Sequence, residues 1–312
     1  MVKVFSDIPL HRAAVEWLRS RGAEVVEFDD PDFPNWPEEA DGMVLGPLPL
    51  DRSALATVRR LKVVAKHGIG LDNVDLDAAR ERGIRVTRTP GGNAQSVAEL
   101  TVGLMIAMTR RIQAAEQRIR SGEPYDRLAY RGEDITGKSA GIIALGNIGR
   151  RTARMLARGF GMRVLGYDPH LADAAWADVD AAPTAELDRL LAESDVVCVN
   201  APLNDETRGM IGARELALMK PTAYLVNTGR GGIVDEGAVH DALAAGRLAG
   251  AALDVLAVEP APVDHPLFSL PNFVGTRHVG GYSTEALRNI GLTAAGQVLD
   301  VLEGREPADS VI

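Results

Sequence analysis

Cysteine and clustered positive charge are scarce in this sequence. Its single cysteine, Cys198 in "DVVCVN", cannot form an internal disulfide, and its apolar, strand-like surroundings predict a buried, inert thiol. The net charge is −9 and Lys and Arg form no long run, which argues against a nucleic-acid surface. Small molecules are therefore the expected partners, and no metal site is predicted.

Long hydrophobic runs are also missing. The most apolar stretch, "LTVGLMIAMT" at 100–109, is about half as long as a membrane span. The N-terminus "MVKVFSDIPL" lacks the hydrophobic region of a signal peptide. We therefore expect a cytoplasmic protein without a membrane segment. With 312 residues, 46% hydrophobic and 25% charged, the chain is long enough for two ordinary domains.

Short β-branched runs alternate with helical patterns along the chain, which is typical of parallel α/β folds. Strand-like runs lie at 2–6, 24–28, 42–46, 61–68 and 84–88, and six more lie at 140–145, 163–168, 195–200, 223–227, 250–256 and 272–275. The second series matches one complete dinucleotide-binding sheet. The Pro-rich segment 29–40 predicts an irregular loop. The final helix, 283–304, is expected to return to the N-terminal domain.

An apolar helical pattern runs from Asn93 to about Ile119, with Asn93 as its N-cap. A helix that is apolar over much of its circumference must be buried on several sides. A domain hinge, a dimer seam and a central core helix are all compatible with this pattern.

A glycine-containing turn joins a predicted strand to a predicted helix in "GIIALGNIGR". Aligned with the G-x-G-x-x-G pattern of dinucleotide-binding loops, its three positions are Ala144, Gly146 and Gly149, so alanine replaces the first glycine. Gly146 would let the backbone approach a pyrophosphate, and Gly149 would let helix and strand pack closely. The N–H groups of Asn147 and Ile148 would bind that pyrophosphate at the helix N-terminus.

Asp168 ends the next predicted strand, in "LGYDP". An acceptor for the adenosine ribose hydroxyls is expected there, and an aspartate at this place repels a 2′-phosphate. The following residues, "PHLADAAW", contain no Arg or Lys that could hold such a phosphate. The predicted cofactor is therefore NAD rather than NADP.

Arg230, Glu259 and His278 each follow a predicted strand, at the edge where open α/β sheets bind ligands. Each alone could be an ordinary surface residue. Together they supply what hydride transfer from an alcohol needs: an imidazole for the hydroxyl proton, a carboxylate that fixes its tautomer, and a clamp for the substrate carboxylate. Glycines on both sides of Arg230 would hold its guanidinium clear of the backbone.

The chain carries a series of long motifs: "KHGIGLDNVDLDAA", "TPGGNAQSVAELT", "ALGNIG", "YDP", "VNTGRGGIVDE", "GAALDVLAVEP" and "HVGGYSTEA". Over nearly its whole length it thereby resembles the D-isomer-specific 2-hydroxyacid dehydrogenases. The resemblance implies two doubly wound parallel-sheet α/β domains, with a Rossmann NAD-binding domain, 96–284, inserted into a flavodoxin-like substrate domain made of 1–95 and 285–312. It also implies a homodimer through the NAD domain, to which the long helix after Asn93 contributes.

The same resemblance implies a role for each site residue. Arg230 would bind the substrate, Glu259 would be the acidic partner of the histidine, and His278 would be the acid/base. Backbone N–H groups around Gly68 and Ile69 would bind the substrate carboxylate from the other domain. Besides the glycine turn and Asp168, the residues implied to contact the cofactor are Thr101, Ala201, Pro202, Thr228, Gly229, Asp254 and Gly280. Of these, Asp254 would face the nicotinamide amide.

The sequence departs from the family pattern in three places. Ala144 replaces a glycine. Arg277 directly precedes the histidine, at a position where the family commonly has proline, and its side chain could face an anionic substrate or solvent. The sequence ends at Ile312 without the C-terminal regulatory domains that many 3-phosphoglycerate dehydrogenases carry, which puts allosteric feedback in doubt but not phosphoglycerate chemistry itself.

The predicted function is that of an NAD-dependent oxidoreductase that interconverts a small D-2-hydroxy acid and its 2-oxo acid. Glyoxylate or hydroxypyruvate reduction and 3-phosphoglycerate oxidation remain alternatives within the family. Formate dehydrogenase is disfavoured, because that branch has an amide in place of Glu259. A non-catalytic, NAD-sensing corepressor would normally carry long polar extensions, which this sequence lacks.

Overall fold

The structure is a computed structural model that describes residues 1–123, 126, 128 and 131–312. The described chain divides into two compact units, residues 1–94 with 281–312 and residues 95–280. The boundaries expected from the sequence, after 95 and after 284, lie one and four residues further along the chain than those of the units.

The first unit contains a five-stranded parallel sheet in the order β2-β1-β3-β4-β5, which is the flavodoxin-like order. Its strands are β1 Lys3–Ser6, β2 Glu24–Glu27, β3 Gly42–Leu45, β4 Val63–Lys66 and β5 Arg85–Thr87. Its helices are α1 Arg12–Ser20, α2 Trp36–Glu39, α3 Arg52–Thr57, α4 Leu76–Glu81 and the C-terminal α11 Thr284–Leu302. Helix α11 packs on α1, β3 and β4, and its buried Ala294, Val298 and Leu299 complete one of the two cores of this unit.

The Pro-rich segment 29–40 contains two short helical turns, contrary to the predicted irregular loop. A 3-10 turn covers Phe33–Asn35, and α2 follows it directly. Each turn has a proline at one of its first two positions, where the missing N–H and the fixed φ suit a helix start. Pro34 and Pro37 are therefore helix-start residues here rather than helix breakers.

The second unit contains a seven-stranded parallel sheet in the order β12-β11-β10-β9-β6-β7-β8. Its strands are β6 Ser139–Ile143, β7 Arg163–Tyr167, β8 Ala182–Pro183, β9 Val196–Val199, β10 Tyr224–Asn227, β11 Gly250–Leu253 and β12 Phe273–Gly275. Its helices are α5 Ala94–Thr109, α6 Ile112–Ser121, α7 Asn147–Arg154, α8 Leu187–Glu193, α9 Ala213–Leu218 and α10 Glu236–Ala244. The strand order contains the Rossmann order, so the predicted fold class is confirmed.

The sheet has seven strands, whereas the sequence predicts six. The strand that was not predicted is β8. It is two residues long and ends in Pro183, which cannot donate a ladder hydrogen bond. Such a strand fits only the sheet edge, where β8 lies beside β7. A dipeptide of this kind carries no periodic signal, so the sequence could not indicate it.

Alternate residues of the central strands in the second unit face two separate cores. Val197 and Leu225 pack in one core, whereas Cys198 and Val226 pack in the other, as the period of two in a strand requires. Cys198 has no exposed surface, and burial raises the pKa of its thiol to about 12. The predicted burial of this cysteine is confirmed, and its inertness stays a prediction that the raised pKa supports.

The apolar helix predicted from Asn93 to about Ile119 is two helices, α5 and α6. Arg111 between them has a φ of 53°, in the left-handed region that interrupts a helix. The returning chain caps the end of α5, because Glu133 N–H donates to Thr109 O at 2.8 Å. A Cβ on Gly132 would lie 2.6 Å from that oxygen, so this contact needs glycine. The C-terminus of α5 is therefore capped by Gly132 and Glu133, which are distant from the helix in sequence.

Asn93 directly precedes α5, at the position predicted for its N-cap, but its side chain does not cap the helix. Its Oδ1 is buried and accepts no hydrogen bond from the described residues, and Ala94 N–H donates to Gly91 O at 3.2 Å. Helix α5 itself is buried on several sides, as predicted, and exposes residues along one side, such as Gln95 and Glu99. Of the helices in the described ranges, none has the length and apolar character that crossing a membrane would require.

Candidate active site

The turn after β6 has the backbone geometry of a dinucleotide-binding loop. Ala144 has a φ of 66°, so alanine adopts the left-handed conformation that glycine adopts freely, at a cost of about 1–2 kcal/mol. Gly149 packs so closely on this turn that a Cβ would lie 2.1 Å from Ala144 O. A Cβ on Gly146 would meet nothing within 4 Å, so open space adjoins that residue. The turn keeps its shape despite the departure at Ala144.

Helix α7 begins directly after this turn, with Gly146 as its N-cap. Gly146 has no side chain that could accept hydrogen bonds from the first turn, so backbone N–H groups such as those of Asn147 and Ile148 lack an intrahelical acceptor. These donors and the positive end of the helix dipole together favour an anion. The turn and helix therefore fit the pyrophosphate of a dinucleotide.

Asp168 connects the same turn to the end of β7. Its Oδ2 accepts a hydrogen bond from Leu145 N–H at 2.8 Å, and its Oδ1 accepts one from His170 N–H at 3.1 Å. A carboxylate can accept about four hydrogen bonds, so acceptor positions remain for ribose hydroxyls. The residues present thus also fit the adenosine half of NAD.

Five further residues predicted to contact the cofactor lie together near the carboxyl ends of β9 and β10. Thr101 Oγ1 and Thr228 Oγ1 are 2.7 Å apart, and both residues are buried. A Cβ on Gly229 would lie 2.6 Å from Ala201 O, so only glycine permits this approach. Pro202 follows directly in the same loop.

Arg230 lies in the turn after β10, and Asn227 sets the shape of that turn. Asn227 Oδ1 accepts a hydrogen bond from Gly229 N–H at 3.0 Å, and its Nδ2 donates to Arg230 O at 2.9 Å. A Cβ on Gly231 would lie 2.0 Å from Leu256 O, so this turn contacts the loop after β11 backbone to backbone. Asn227 is not among the residues predicted from the sequence, although a polar residue at the end of a buried strand is a usable signal.

His278 and Glu259 form a hydrogen-bonded pair at the same sheet edge. His278 Nδ1 lies 2.8 Å from Glu259 Oε2, and the side chains are 44% and 41% exposed. Glu259 Oε1 also accepts a hydrogen bond from Leu256 N–H at 3.2 Å. Because Nδ1 faces the carboxylate, Nε2 is the ring nitrogen available to a substrate.

Opposing effects act on the Glu259 carboxyl. Burial acts to raise its pKa, but the hydrogen bond and charge of His278, the Leu256 N–H and the charge of Arg230 together outweigh burial. The pKa of Glu259 therefore lies below its ordinary value, and the carboxylate form is favoured.

Asp254, expected to face the nicotinamide amide, is directed at the loop that carries His278. Its side chain is buried, and its Oδ1 accepts hydrogen bonds from Thr276 Oγ1 at 2.6 Å and Val279 N–H at 2.8 Å. Its Oδ2 accepts one from Gly280 N–H at 2.9 Å. Thr276 could not be predicted from the sequence, because one hydroxyl in a turn gives no indication of its partner.

Gly68 and Ile69 lie in the first unit, in the loop after β4. Gly68 has a φ of 143°, which favours glycine, and its N–H donates to Lys66 O and to Thr89 Oγ1, both at 2.9 Å. Ile69 N–H meets no acceptor among the described residues. Ile69 is therefore the better candidate of the two for a ligand donor, and the substrate role of this loop stays a prediction.

The chain matches known proteins in both sequence and structure. Residues 102–280 match the model of the D-isomer specific 2-hydroxyacid dehydrogenase, NAD binding domain. The chain belongs to the D-isomer specific 2-hydroxyacid dehydrogenase family. The family and the NAD-binding domain predicted from the sequence are thereby confirmed.

Within this family the chain is 36% identical to the D-3-phosphoglycerate dehydrogenase of Methanocaldococcus jannaschii over 315 residues, which cover 100% of this chain but 59% of that relative. It is 40% identical to the hydroxypyruvate reductase of Thermotoga maritima over 248 residues, 78% of each chain. Among solved structures, the TT0316 protein of Thermus thermophilus has a TM-score of 0.90 and 36% identity, with 100% of both chains covered. The chain thus spans little more than half the length of the first of these relatives.

We expect Gly149→Ala to destabilise the second unit, because the added Cβ would lie 2.1 Å from Ala144 O and the backbone must move. Overpacking of this kind costs about 1–3 kcal/mol, which urea unfolding measures. Gly103→Ala is the matched control: Gly103 is exposed in α5 and its Cβ would meet nothing within 4 Å. Equal unfolding midpoints for the two variants would contradict the close contact.

We expect Glu259→Gln to make the protein less sensitive to acid. Because folding lowers the pKa of Glu259, its ionised form stabilises the fold above the ordinary value of 4.5, and this contribution is lost as the pH falls through the lowered value. Glutamine does not titrate, so the free energy of unfolding should differ less between about pH 7 and about pH 3 in the variant than in the wild type. Urea titrations at both pH values make the comparison, and an equal difference in both proteins would show that the pKa is not lowered.

Proposed function

We propose that this protein is an NAD-dependent oxidoreductase that interconverts a small D-2-hydroxy acid and the corresponding 2-oxo acid. The observation that carries the proposal is the contact of 2.8 Å between His278 Nδ1 and Glu259 Oε2. This pair lies at the sheet edge that also holds Arg230 and the glycine turn. An acid/base pair, a carboxylate-binding arginine and a dinucleotide turn are the groups that this reaction requires.

The three side chains have separate tasks in the proposed reaction. NAD held by the turn after β6 and by Asp168 would supply the hydride acceptor for the oxidation and the hydride donor for the reduction. His278 Nε2 takes the hydroxyl proton in the oxidation and returns it in the reduction, while Glu259 holds the ring through Nδ1. Arg230 binds the substrate carboxylate through its planar guanidinium and polarises the adjacent carbonyl.

Asp168 supports NAD over NADP. Its carboxylate is fixed at the end of β7 by the N–H groups of Leu145 and His170. A 2′-phosphate placed on the adenosine ribose would be repelled by this carboxylate, and the residues from 169 to 176 contain no Arg or Lys to hold the phosphate.

The substrate alternatives within the family are a small unphosphorylated acid, such as glyoxylate or hydroxypyruvate, and 3-phosphoglycerate. The named relatives support both, since one is a hydroxypyruvate reductase and the other a D-3-phosphoglycerate dehydrogenase. A phosphorylated substrate requires additional cations. Three basic residues are candidates for this role: Lys66, Arg88 and Arg277. Lys66 Nζ already donates to Gly46 O at 2.5 Å, whereas Arg277 is exposed and directly precedes His278.

We further propose a cytoplasmic homodimer that associates through the NAD-binding unit. Helix α6 supports this proposal, because it has no buried residue and exposes Ile112 and Ile119 by 53% and 80%. Apolar residues exposed on a helix of this kind are typical of an interface. Sedimentation of the purified protein as a monomer would contradict the dimer.

We expect the wild type to oxidise NADH in the presence of at least one 2-oxo acid from a panel of glyoxylate, hydroxypyruvate, pyruvate and 3-phosphohydroxypyruvate. Absorbance of the reduced nicotinamide measures turnover, and the panel separates the substrate alternatives. Because of Asp168, kcat/KM with NADPH should be at least about tenfold lower than with NADH. Binding of NADH without consumption by any member of the panel would favour the non-catalytic, NAD-sensing alternative.

We expect His278→Ala to lower kcat by about 10²–10⁴-fold, because the hydroxyl proton loses its acceptor. NADH binding, measured by fluorescence titration, should remain nearly unchanged. His240→Ala is the matched control, since His240 is a partly exposed histidine on α10 beside Asp241, outside the candidate site. Wild-type turnover by the His278 variant would exclude the proposed mechanism.

A further inference from the structure

We propose that Glu236 and His265 form a further histidine–carboxylate pair, which positions Glu259 by holding the loop after β11 in place. Both are positioning residues rather than catalytic residues, because they act through this loop. The inference rests on the proposed function, in which Glu259 orients the ring of His278. Neither Glu236 nor His265 is among the residues predicted to contact the substrate or the cofactor.

The Glu236 carboxylate joins the start of α10 to the connection between β11 and β12. Glu236 is the first residue of α10, and its side chain is 16% exposed. Its Oε1 accepts a hydrogen bond from Ala257 N–H at 2.6 Å. Its Oε2 lies 3.1 Å from His265 Nε2, and the His265 side chain is equally well shielded. One carboxylate thus links the helix to two points of this connection.

The contacts of His265 define which ring nitrogen donates to Glu236. Leu267 N–H donates to His265 Nδ1 at 3.4 Å, at the start of the 3-10 turn Pro266–Ser269. A ring nitrogen that accepts a hydrogen bond carries no hydrogen, so the hydrogen is on Nε2. Nε2–H therefore donates to Glu236 and orients its carboxylate, while Nδ1 caps the turn. Because the two nitrogens have separate tasks, substitutions can separate them.

Two successive amides of the loop after β11 bind two carboxylates. Leu256 N–H donates to Glu259 Oε1 at 3.2 Å. The next amide, that of Ala257, donates to Glu236. Glu259 Oε2 in turn lies 2.8 Å from His278 Nδ1. The position of the backbone at 256–257 therefore determines where the Glu259 carboxylate meets the ring of His278.

The turn that carries Arg230 packs on the same peptide unit. A Cβ on Gly231, the residue after Arg230, would lie 2.0 Å from Leu256 O and 2.6 Å from Ala257 N. The proposed clamp for the substrate carboxylate and the proposed partner of the acid/base thus both depend on the peptide unit between 256 and 257. Glu236 holds this unit through the N–H of Ala257.

The loop needs this restraint because little of it is buried. Ala257, Val258 and Glu259 are exposed, and Val263 further along is 93% exposed. Segments with few buried apolar contacts open at a low cost in free energy. A hydrogen bond to a carboxylate is stronger than one between neutral groups, so the contact of Ala257 is a substantial restraint. Without it Glu259 could move away from His278, and small displacements of this kind slow proton transfer.

Two substitutions of His265 separate its contact with Glu236 from its cap on the 3-10 turn. Asparagine can place Oδ1 near the position of the ring Nδ1, so His265→Asn keeps an acceptor for Leu267 N–H and loses the donor to Glu236. Glutamine can place its Nε2 near the position of the ring Nε2, so His265→Gln keeps the donor and loses the cap.

We expect kcat to fall about 3- to 10-fold in His265→Asn and to stay within about twofold of the wild type in His265→Gln. A role limited to capping the turn predicts the opposite order. The NADH dissociation constant, from fluorescence titration without substrate, should stay within about twofold of the wild type in both variants.

Glu236→Ala tests the same contact from its other side. It removes the acceptor of Ala257 N–H and leaves the cap by His265 in place, so kcat should fall at least as far as in His265→Asn. It also carries the test if His265→Asn does not fold. Glu215→Ala is the matched control: Glu215 is 15% exposed on α9, accepts from Gly212 N–H at 3.1 Å, and its loss should leave kcat unchanged.

Amide hydrogen exchange at Ala257 gives a readout that does not need turnover. His265→Asn and Glu236→Ala should accelerate this exchange relative to His265→Gln and Glu215→Ala. If the wild type reduces no 2-oxo acid, the proposed function fails and exchange still tests the pair. The proposal is overturned if His265→Asn keeps wild-type kcat and wild-type exchange, or if His265→Gln lowers kcat as much as His265→Asn does.

Discussion

The strands of the second sheet run parallel, and this constraint brings the candidate site together. Carboxyl ends of parallel strands meet at one edge of a sheet, so residues far apart in sequence become neighbours there. Arg230, Glu259 and His278 follow β10, β11 and β12, which are adjacent in that order. The arrangement of the candidate site thus depends on strand order first and on local conformation second, and the hydrogen bond between His278 and Glu259 is the direct result.

Much of the second sheet could be predicted because its strands are short apolar runs bounded by turn residues. Strands β9 and β10 are fully buried and have no polar residue until Asn227, so their limits are visible in the sequence. The residues of the candidate site could also be predicted from the sequence, because each of them lies within a few positions of a strand end. A glycine turn, an aspartate at the end of the next strand and an imidazole on a turn are all local patterns.

Features that depend on contacts between distant segments could not be predicted. The end of α5 is set by Gly132 and Glu133 as they return past Thr109, and no residue of the helix itself signals it. Strand β8 exists only because β7 offers it a partner. The place of Asp254 is of the same kind: its type and position indicate a ligand, whereas its actual partners lie in a loop more than twenty residues further along the chain.

The close backbone contacts of the glycines have a consequence for how mutational data on this protein should be interpreted. A Cβ on Gly229 would meet the backbone of Ala201, and one on Gly231 would meet that of Leu256, at 2.6 and 2.0 Å. Substitutions at either glycine would push apart two strand ends together with the functional groups they carry. Loss of activity in such variants would report the separation of main chains, and it would not identify either glycine as a participant in the reaction.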